Sequence, residues 1–299
     1  MASQRDVRNR IASVKNIQKI TRAMEMVAAA RLRRAEQRIE ALRPYAGAIR
    51  RMTREAAQAS GSVPRLPILI EHDNVSTVGL LLIAGDRGLA GAFNSQIVRA
   101  GVAAGREHQG ENRTPVYFAS GRRAASSLSF RGLELAQSFT GFSDRPAFAD
   151  ARRIAETMMA AYVDGEVDQV EVLYNGYISP ISQVVRREVL LPLQQATVLE
   201  DGDAEEEEQQ SGQRALVEYE PDPEQILQRL VPDYVEISIY RALLESTASE
   251  HGARMTAMRN ASDNAGEIIE DLTLEMNRAR QAEITQEIME VVAGAEGLG

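Results

Sequence analysis

The sequence predicts a mixed α and β protein, in which N- and C-terminal helices form a long antiparallel coiled coil that accompanies a small open α/β sheet domain. Three observations support this class. Apolar residues recur at helical spacing over long stretches at both ends, the two ends carry opposite net charge, and strand-like and helix-like segments alternate between them. The predicted segments are an N-terminal coiled-coil helix at 1–60, the α/β domain at 75–198, an acidic flexible loop at 199–214 and a C-terminal coiled-coil helix at 222–295.

The N-terminal segment is predicted to form one helix from about Arg5 to Ser60, because its apolar residues are spaced by threes and fours. At about 1.5 Å per residue this helix is roughly 80 Å long, too long to be buried against one small domain. Pro44 lies inside it, where a proline kinks or interrupts a helix. The predicted seam consists of Val7, Ile11, Val14, Ile17, Ile20, Met24, Val27, Leu32, Ala35, Ile39, Leu42, Ala46, Ile49, Met52 and Ala56.

The C-terminal segment carries a second apolar stripe, which begins at Ile226 and alternates steps of three and four almost without a break from Ile237. This spacing over several heptads is typical of a coiled coil. The sequence EPDPEQ at its start places a proline in the first helical turn, where proline is favoured. His251 falls on the stripe and is therefore interpreted as a packed seam residue.

Opposite charges at the two ends favour pairing of these helices. Residues 1–54 hold fourteen Lys and Arg against four Asp and Glu, whereas residues 222–299 hold six against fifteen. Each exposed ion pair contributes only a few tenths of a kcal/mol, so the charges select partner and register more than they add stability. The alternative is that each helix merely covers a globular core, but ordinary helices are much shorter than these segments.

The middle of the chain alternates strands and helices. Strands are predicted at 78–86, 114–121 and 167–178, and 182–193 is interpreted as an antiparallel edge strand. Helices are expected after the first two strands, and the stretch 143–166 resembles a capped helix. This alternation indicates a small open sheet of Rossmann-like type. The acidic stretch that follows, including four glutamates at 205–208, is interpreted as a solvated loop rather than a metal site.

Several kinds of chemistry are excluded by composition. The chain has no Cys, which rules out disulfides, thiolate zinc sites and cysteine nucleophiles. Its only lysines are Lys15 and Lys19, so no Walker A loop exists, and the glycines of GDRGLAGAFN at 85–94 do not form GxGxxG. We interpret that motif as a tight strand-to-helix turn. The three histidines lack metal-ligand spacing, and no cofactor or metal is expected.

No stretch approaches the ~18 consecutive apolar residues of a membrane span. Arginines and Asp6 interrupt the N-terminus, which is therefore unlike a secretory signal. Because the helical stripe begins by Val7, we interpret the N-terminus as mature structure rather than as an organelle presequence.

Three stretches resemble one family. RIASVKNIQKITRAMEMVAAARLRRAE near the start, GDRGLAGAFN in the middle and NRARQAEITQEIMEVVAGAEG near the end are similar to the gamma subunits of F-type ATP synthases of the bacterial type. The matches follow one another in the family's order and extend over nearly the whole chain. Gly297 departs slightly from the family, where a small or basic residue is more usual.

The resemblance implies a central rotor shaft. In this family the paired terminal helices turn inside a hexamer of alpha and beta subunits. The rest of the subunit meets the epsilon subunit and the membrane ring of c subunits, so that ion flow is coupled to ATP synthesis or hydrolysis on the beta subunits. The implied protein is not itself catalytic, holds no cofactor, binds no nucleic acid, and is peripheral on the cytoplasmic side of the cell membrane.

The resemblance also implies contact residues. Met24 matches a rotor position near an acidic lever of the beta subunit, and the arginines that follow it are expected to face that lever. Three residues near the C-terminus match those that hydrogen-bond a loop of the beta subunit, and two match the foot on the c ring. The implied contacts are Met24, Arg31, Arg33, Arg34, Arg280, Gln281, Thr285, Tyr219 and Glu220.

Two other classes of function stay open at this point. One is a nucleotide-binding enzyme built on the sheet domain, which nucleotide titration of the isolated chain would reveal. The other is a coiled-coil scaffold or nucleic-acid binder that uses the basic first helix, and salt-dependent retention on DNA would support it.

Overall fold

The computed structural model describes residues 4–59, 66–72, 74–193 and 223–296. The chain divides into two compact units. The helical unit comprises Met1–Ala30 and Arg254–Gly299, and the sheet unit comprises Arg31–Ala253. The predicted acidic loop at 199–214 and the predicted contact residues Tyr219 and Glu220 lie outside the described residues.

Two long helices enclose an α/β segment in chain order. The elements are α1 (Gln4–Ala59), a short 3-10 helix (Pro67–Leu69), β1 (Thr77–Ile83), α2 (Phe93–Gly110), β2 (Thr114–Ser120), α3 (Arg122–Phe130), β3 (Leu135–Phe139), α4 (Phe148–Val163), β4 (Gln169–Tyr177), β5 (Gln183–Leu191) and α5 (Pro223–Glu296). As predicted, α5 begins with a proline. α1 continues through Pro44 without interruption.

In the helical unit, α1 and α5 pack in opposite directions. Val7 and Ile11 of α1 form an apolar cluster with Leu272 of α5. Further along α1, Gln18 Nε2 donates a hydrogen bond of 3.2 Å to the carbonyl oxygen of Ser262. The partners on α5 therefore recede along the sequence as α1 advances, and the predicted antiparallel pair is confirmed.

The predicted seam was wrong over part of α1. Ile17, Ile20 and Val27 are 54%, 59% and 52% exposed. The buried or half-buried positions instead repeat every seven residues, at Val7, Val14, Thr21 and Ala28. A coiled coil keeps a 3.5-residue period, whereas following the most apolar residue at each step led off the seam and onto another face of the helix.

In the sheet unit the same two helices bury a second apolar cluster. Ala46 and Ile49 of α1 pack with Leu230 and Ile237 of α5, and Ala46, Ile49 and Ile237 belong to the stripes predicted from the sequence. Apolar side chains buried between two helices in this way stabilise the pair.

The sheet contains five strands in the order β3-β2-β1-β4-β5. The first four pair in parallel, and β5 is antiparallel to β4 as predicted. β3 was not predicted. It is a five-residue edge strand in which only Phe139 is buried, so it lacks the apolar run by which β1, β2 and β4 were found.

The sheet is covered on both faces, which explains the uninterrupted apolar run of β1. Leu81 and Ile83 belong to a core shared with α4 and α5. Leu80 and Leu82 point to the opposite face, into a core shared with α2 and α3. The long C-terminal helix is thus part of the sheet's own hydrophobic core as well as the partner of α1.

Candidate interaction surfaces

The C-terminal part of α5 is covered by no other described segment. Every side chain from Arg280 to Ala293 is exposed, and we call this stretch the tip surface. It includes large apolar residues, among them Ile288 and Val291, the latter 72% exposed. Apolar side chains clustered on an exposed helix commonly mark a surface that a partner covers.

Three of the predicted contact residues lie on the tip surface. Arg280, Gln281 and Thr285 are all exposed. The hydroxyl of Thr285 donates to the carbonyl oxygen of Gln281 at 2.8 Å, a bond that is common for threonine within helices. The proton of Thr285 is thus used inside the helix, while the guanidinium of Arg280 and the amide of Gln281 project into solvent.

A second uncovered surface lies on α1. Ile17, Ile20, Met24 and Val27 follow one another at steps of three and four and so form a line along the helix; we call them the α1 row. Met24 is half-buried and the other three are exposed. The predicted contact Met24 therefore belongs to an apolar line that lies off the seam with α5.

The arginines that follow Met24 fall into two groups. Arg33 and Arg34 are exposed, as a contact with an acidic partner requires. The guanidinium of Arg31 instead pairs with both carboxylate oxygens of Asp144 in the same chain. The sequence offered no signal for this pair, because the two residues are 113 positions apart and Asp144 lies in a loop without a motif.

Asp86 lies just beyond the C-terminal ends of β1, β2 and β3 and binds backbone amides there. Its carboxylate accepts hydrogen bonds from the backbone N–H groups of Arg122 and Gly141, each at 2.9 Å, and of Ser143 at 3.2 Å. Its own N–H donates to the hydroxyl oxygen of Ser143 at 2.9 Å. Nucleotide phosphates commonly bind at such strand ends. Here the chain's own carboxylate takes up these amides, and a phosphate would have to displace it.

The turn after β1 also serves the packing of α5. The N–H of Gly85 donates to Asn94 Oδ1 at 2.8 Å, and Asn94 Nδ2 donates to the carbonyl oxygen of Arg87 at 3.0 Å. A Cβ atom on Gly85 would lie 2.8 Å from the carboxylate carbon of Glu250. Gly85 therefore leaves room for the carboxylate of Glu250, which supports the interpretation of this motif as a structural turn.

A second carboxylate network joins the beginnings of β1 and β4. Asp168 accepts hydrogen bonds from the N–H groups of Ser76 and Thr77, and its other oxygen lies 2.8 Å from His72 Nδ1. Burial alone would raise the pKa of Asp168, but these bonds outweigh burial and lower it to about 2. The ring of His72 stacks on Tyr162, with centroids 4.7 Å apart.

A third network lies between α2, β4 and β5. The guanidinium of Arg187 donates to the buried carboxylate of Glu171 at 2.7 and 3.1 Å and lies 2.9 Å from Nε2 of the buried His108. This hydrogen bonding to Glu171 raises the pKa of Arg187. His72, His108 and His251 thus lie in separate environments.

Among the described residues, no helix combines the length and the apolar character needed to cross a lipid bilayer.

The chain is similar along its whole length to proteins of one family. A family model described as ATP synthase matches residues 3–298. The chain is 44% identical over 298 residues to the ATP synthase gamma chain of Rubrobacter xylanophilus. The match covers 100% of this chain and 99% of the Rubrobacter chain. The chain belongs to the ATP synthase gamma-chain family. The resemblance found in the sequence is thereby confirmed.

Other gamma chains and solved structures agree. The gamma chain of Moorella thermoacetica is 43% identical over 298 residues, with 100% of both chains covered. A central stalk and c-ring structure of the Tetrahymena thermophila mitochondrial ATP synthase matches with a TM-score of 0.59 at 29% identity, covering 81% of this chain and 99% of that one. A chain of the Euglena gracilis mitochondrial ATP synthase shares the fold, with a TM-score of 0.67 at 16% identity over 99% of this chain and 94% of that one.

Proposed function

We propose that this chain is the central-stalk subunit of an F-type ATP synthase. It turns inside a hexamer of alpha and beta subunits and couples ion flow through a c ring to ATP synthesis or hydrolysis on the beta subunits. The observation that carries the proposal is the antiparallel pair of α1 and α5, which ends in the uncovered tip surface. A shaft of this kind needs a partner around its tip and a section in which α1 and α5 are paired, which we call the stem.

The stem has contacts suited to resisting twist. C-terminal to Val7 on α1, the side chains of Gln18 and Glu25 form hydrogen bonds with α5. Gln18 bonds the carbonyl oxygen of Ser262, and Arg259 Nε donates to Glu25 at 2.9 Å. Hydrogen bonds are directional, unlike apolar contacts, so they oppose sliding of one helix along the other.

The proposal places the chemistry on other subunits. The strand ends, where an α/β protein would hold a nucleotide, are taken up by Asp86. This supports a subunit that transmits motion rather than one that binds nucleotide or a cofactor. Family membership likewise favours a role within the synthase complex over the nucleotide-binding enzyme or the nucleic-acid-binding scaffold.

The proposed partners follow from the uncovered surfaces. The α1 row with Met24, together with the exposed Arg33 and Arg34, is assigned to an acidic surface of the beta subunit. Arg280, Gln281 and Thr285 are assigned to a beta-subunit loop. Tyr219 and Glu220, which lie outside the described residues, are assigned to the c ring from the family resemblance alone, and an epsilon subunit is expected alongside. With these partners the chain is peripheral on the cytoplasmic side of the cell membrane.

Reconstitution tests this function. Alpha and beta subunits are combined with membrane sectors in the presence or absence of the chain, and ATP-driven proton pumping is followed by dye quenching. We expect the chain to co-purify with both subunits and pumping to require it. Equal pumping without the chain, or a chain that fails to co-purify, would contradict the proposal.

A further inference from the structure

The loop Gly141–Asp144, which we call the strand-end loop, links the sheet to both long helices within the sheet unit. It lies between β3 and α4, and Asp86 at the end of β1 holds it in place through the N–H groups of Gly141 and Ser143. The same carboxylate accepts the N–H of Arg122, so the ends of three strands and the loop share one anchor.

The loop holds α1 through a charged pair. The guanidinium of Arg31 contacts both carboxylate oxygens of Asp144. Both contacts are made by one guanidinium nitrogen, Nη1, and a charged donor strengthens a hydrogen bond to a carboxylate. A second polar contact joins α1 to the sheet domain nearby, where the hydroxyl of Tyr177 at the end of β4 donates to Glu36.

The loop also holds α5. The hydroxyl of Thr247 lies 2.8 Å from the carbonyl oxygen of Leu243 in its own helix and 2.9 Å from that of Ser143, so its single proton is shared between the helix and the loop. One turn further along α5, the buried His251 places Nε2 3.8 Å from Asp144 Oδ1. Asp144 therefore lies between a cation of α1 and an imidazole of α5, and its neighbour Ser143 binds both Asp86 and α5.

We propose that the strand-end loop is the joint that fixes the parts of α1 and α5 within the sheet unit to the sheet and passes torque between them, with Arg31 and Asp144 as its positioning residues. This inference rests on the proposed function. α5 already shares an apolar core with the sheet, and apolar attraction by itself is non-directional. The directional contacts of the loop fix the angle at which α1 and α5 meet the sheet domain.

Charge reversal tests the joint in the assembled complex. Arg31→Asp, Asp144→Arg and the double exchange are each reconstituted, and proton pumping is measured relative to ATP hydrolysis. Each single reversal places like charges together, and we expect the ratio to fall roughly twofold or more, while the double exchange restores it. Arg113→Glu is the control and should leave the ratio unchanged, because Arg113 lies in the turn between α2 and β2 and pairs with Glu111 at 3.2 Å.

Each outcome decides the inference. The inference would be overturned by an unchanged ratio of pumping to hydrolysis in the single variants. It would also be overturned if the double exchange gave a ratio no higher than that of the worse single variant. A merely structural pair would lower the melting temperature of the chain without changing the ratio in assembled complexes. If a reversal variant does not fold, Arg31→Gln and Asp144→Asn replace it under the same criterion. A wild-type chain that supports no pumping would contradict the proposed function instead.

Discussion

The helical unit and the sheet unit differ in what their side chains bind. In the sheet unit, the carboxylates of Asp86, Asp168 and Glu171 each accept several hydrogen bonds from the same chain. Both units leave large apolar residues exposed, among them Phe130 at 91% in the sheet unit and Val291 at 72% in the helical unit, but in the helical unit they follow one another along a helix, as in the α1 row and the tip surface. The sequence of the sheet unit mainly serves its own fold, whereas that of the helical unit is shaped for partners as well.

The difference explains why periodicity alone misplaced part of the seam. In the helical unit two faces of α1 are apolar, one for α5 and one left uncovered, and a stripe drawn through the most apolar residues passes from one to the other. We therefore expect substitutions in the sheet unit to change stability and substitutions on uncovered helical surfaces to change assembly.

The largest effect on stability is expected in the sheet unit at Gly121, between β2 and α3. Its φ of +98° disfavours other residues, and a Cβ atom there would lie 2.1 Å from the carbonyl oxygen of Ala84. Gly121→Ala should lower the free energy of unfolding by about 3 kcal/mol or more, measured by urea unfolding.

The matched control is Gly110→Ala, since nothing lies within 4 Å of a Cβ atom at Gly110. Gly110→Ala should be neutral or slightly stabilising. Equal stability of the Gly121 variant and wild type would show that the end of β2 is not the constrained point that the structure describes.

The next effect compares two isoleucines of α1 within the helical unit. Ile11 is 8% exposed in the seam and Ile20 is 59% exposed on the α1 row. Ile11→Ala should lower the free energy of unfolding by about 2 kcal/mol or more, whereas Ile20→Ala should change it by less than about 0.5 kcal/mol. Thermal unfolding of the isolated chain measures both, and a larger loss for Ile20→Ala would contradict the observed seam.

An acid-dependent effect is expected at Asp168. Its pKa is lowered from 3.8 to about 2 in the folded chain, so its contribution is fully present above about pH 5 and is lost as pH falls towards 2. The contribution is about 2 kcal/mol. Asp168→Asn should therefore have a lower free energy of unfolding than wild type at about pH 6, measured by urea unfolding. The difference in free energy between the two proteins, which we call the gap, should narrow at about pH 3. A gap of the same size at both pH values would rule out this role.

Substitutions at the tip surface are expected to have the smallest effect on folding and a clear effect on ATP hydrolysis by the assembled complex. Arg280→Ala combined with Gln281→Ala should lower ATP hydrolysis by the assembled complex about threefold to tenfold, because both side chains are assigned to a beta-subunit loop. The unfolding midpoint should not change, since both residues are exposed.

Arg278→Ala is the control for the tip surface, because it removes an exposed arginine that is not assigned to the beta-subunit loop. It should retain ATP hydrolysis close to that of wild type. Wild-type turnover in a correctly assembled Arg280 and Gln281 double variant would count against the assignment.

Part of the fold followed from local patterns and part did not. The strands β1, β2 and β4 were predictable because their apolar runs are long and end in turn residues, and β5 because it follows β4 closely. β3 was missed because an exposed edge strand needs only one buried side chain, Phe139. The glycines at 85–94 identified a turn, but nothing in the sequence indicated that Asp86 would fill the strand ends.

Among the candidate contacts, the sequence pointed to Met24 and to the arginines after it, and the structure separated them. Arg33 and Arg34 are exposed, while Arg31 is bound to Asp144. Residues that act through distant partners, such as Asp144 and Thr247, carry no local signature. A hydrogen bond between positions 113 or 104 residues apart depends on the path of the whole chain.

The sequence by itself determined the two long helices, their opposite charges, the alternation of strands and helices and the family of the chain, because these depend on spacing and composition over many residues. Only the tertiary structure decided which face of α1 meets α5, what fills the strand ends and which arginine is bound within the chain. The physical reason is that helical period restricts apolar residues to lines along a helix, whereas the choice between two such lines depends on the partner that packs against it.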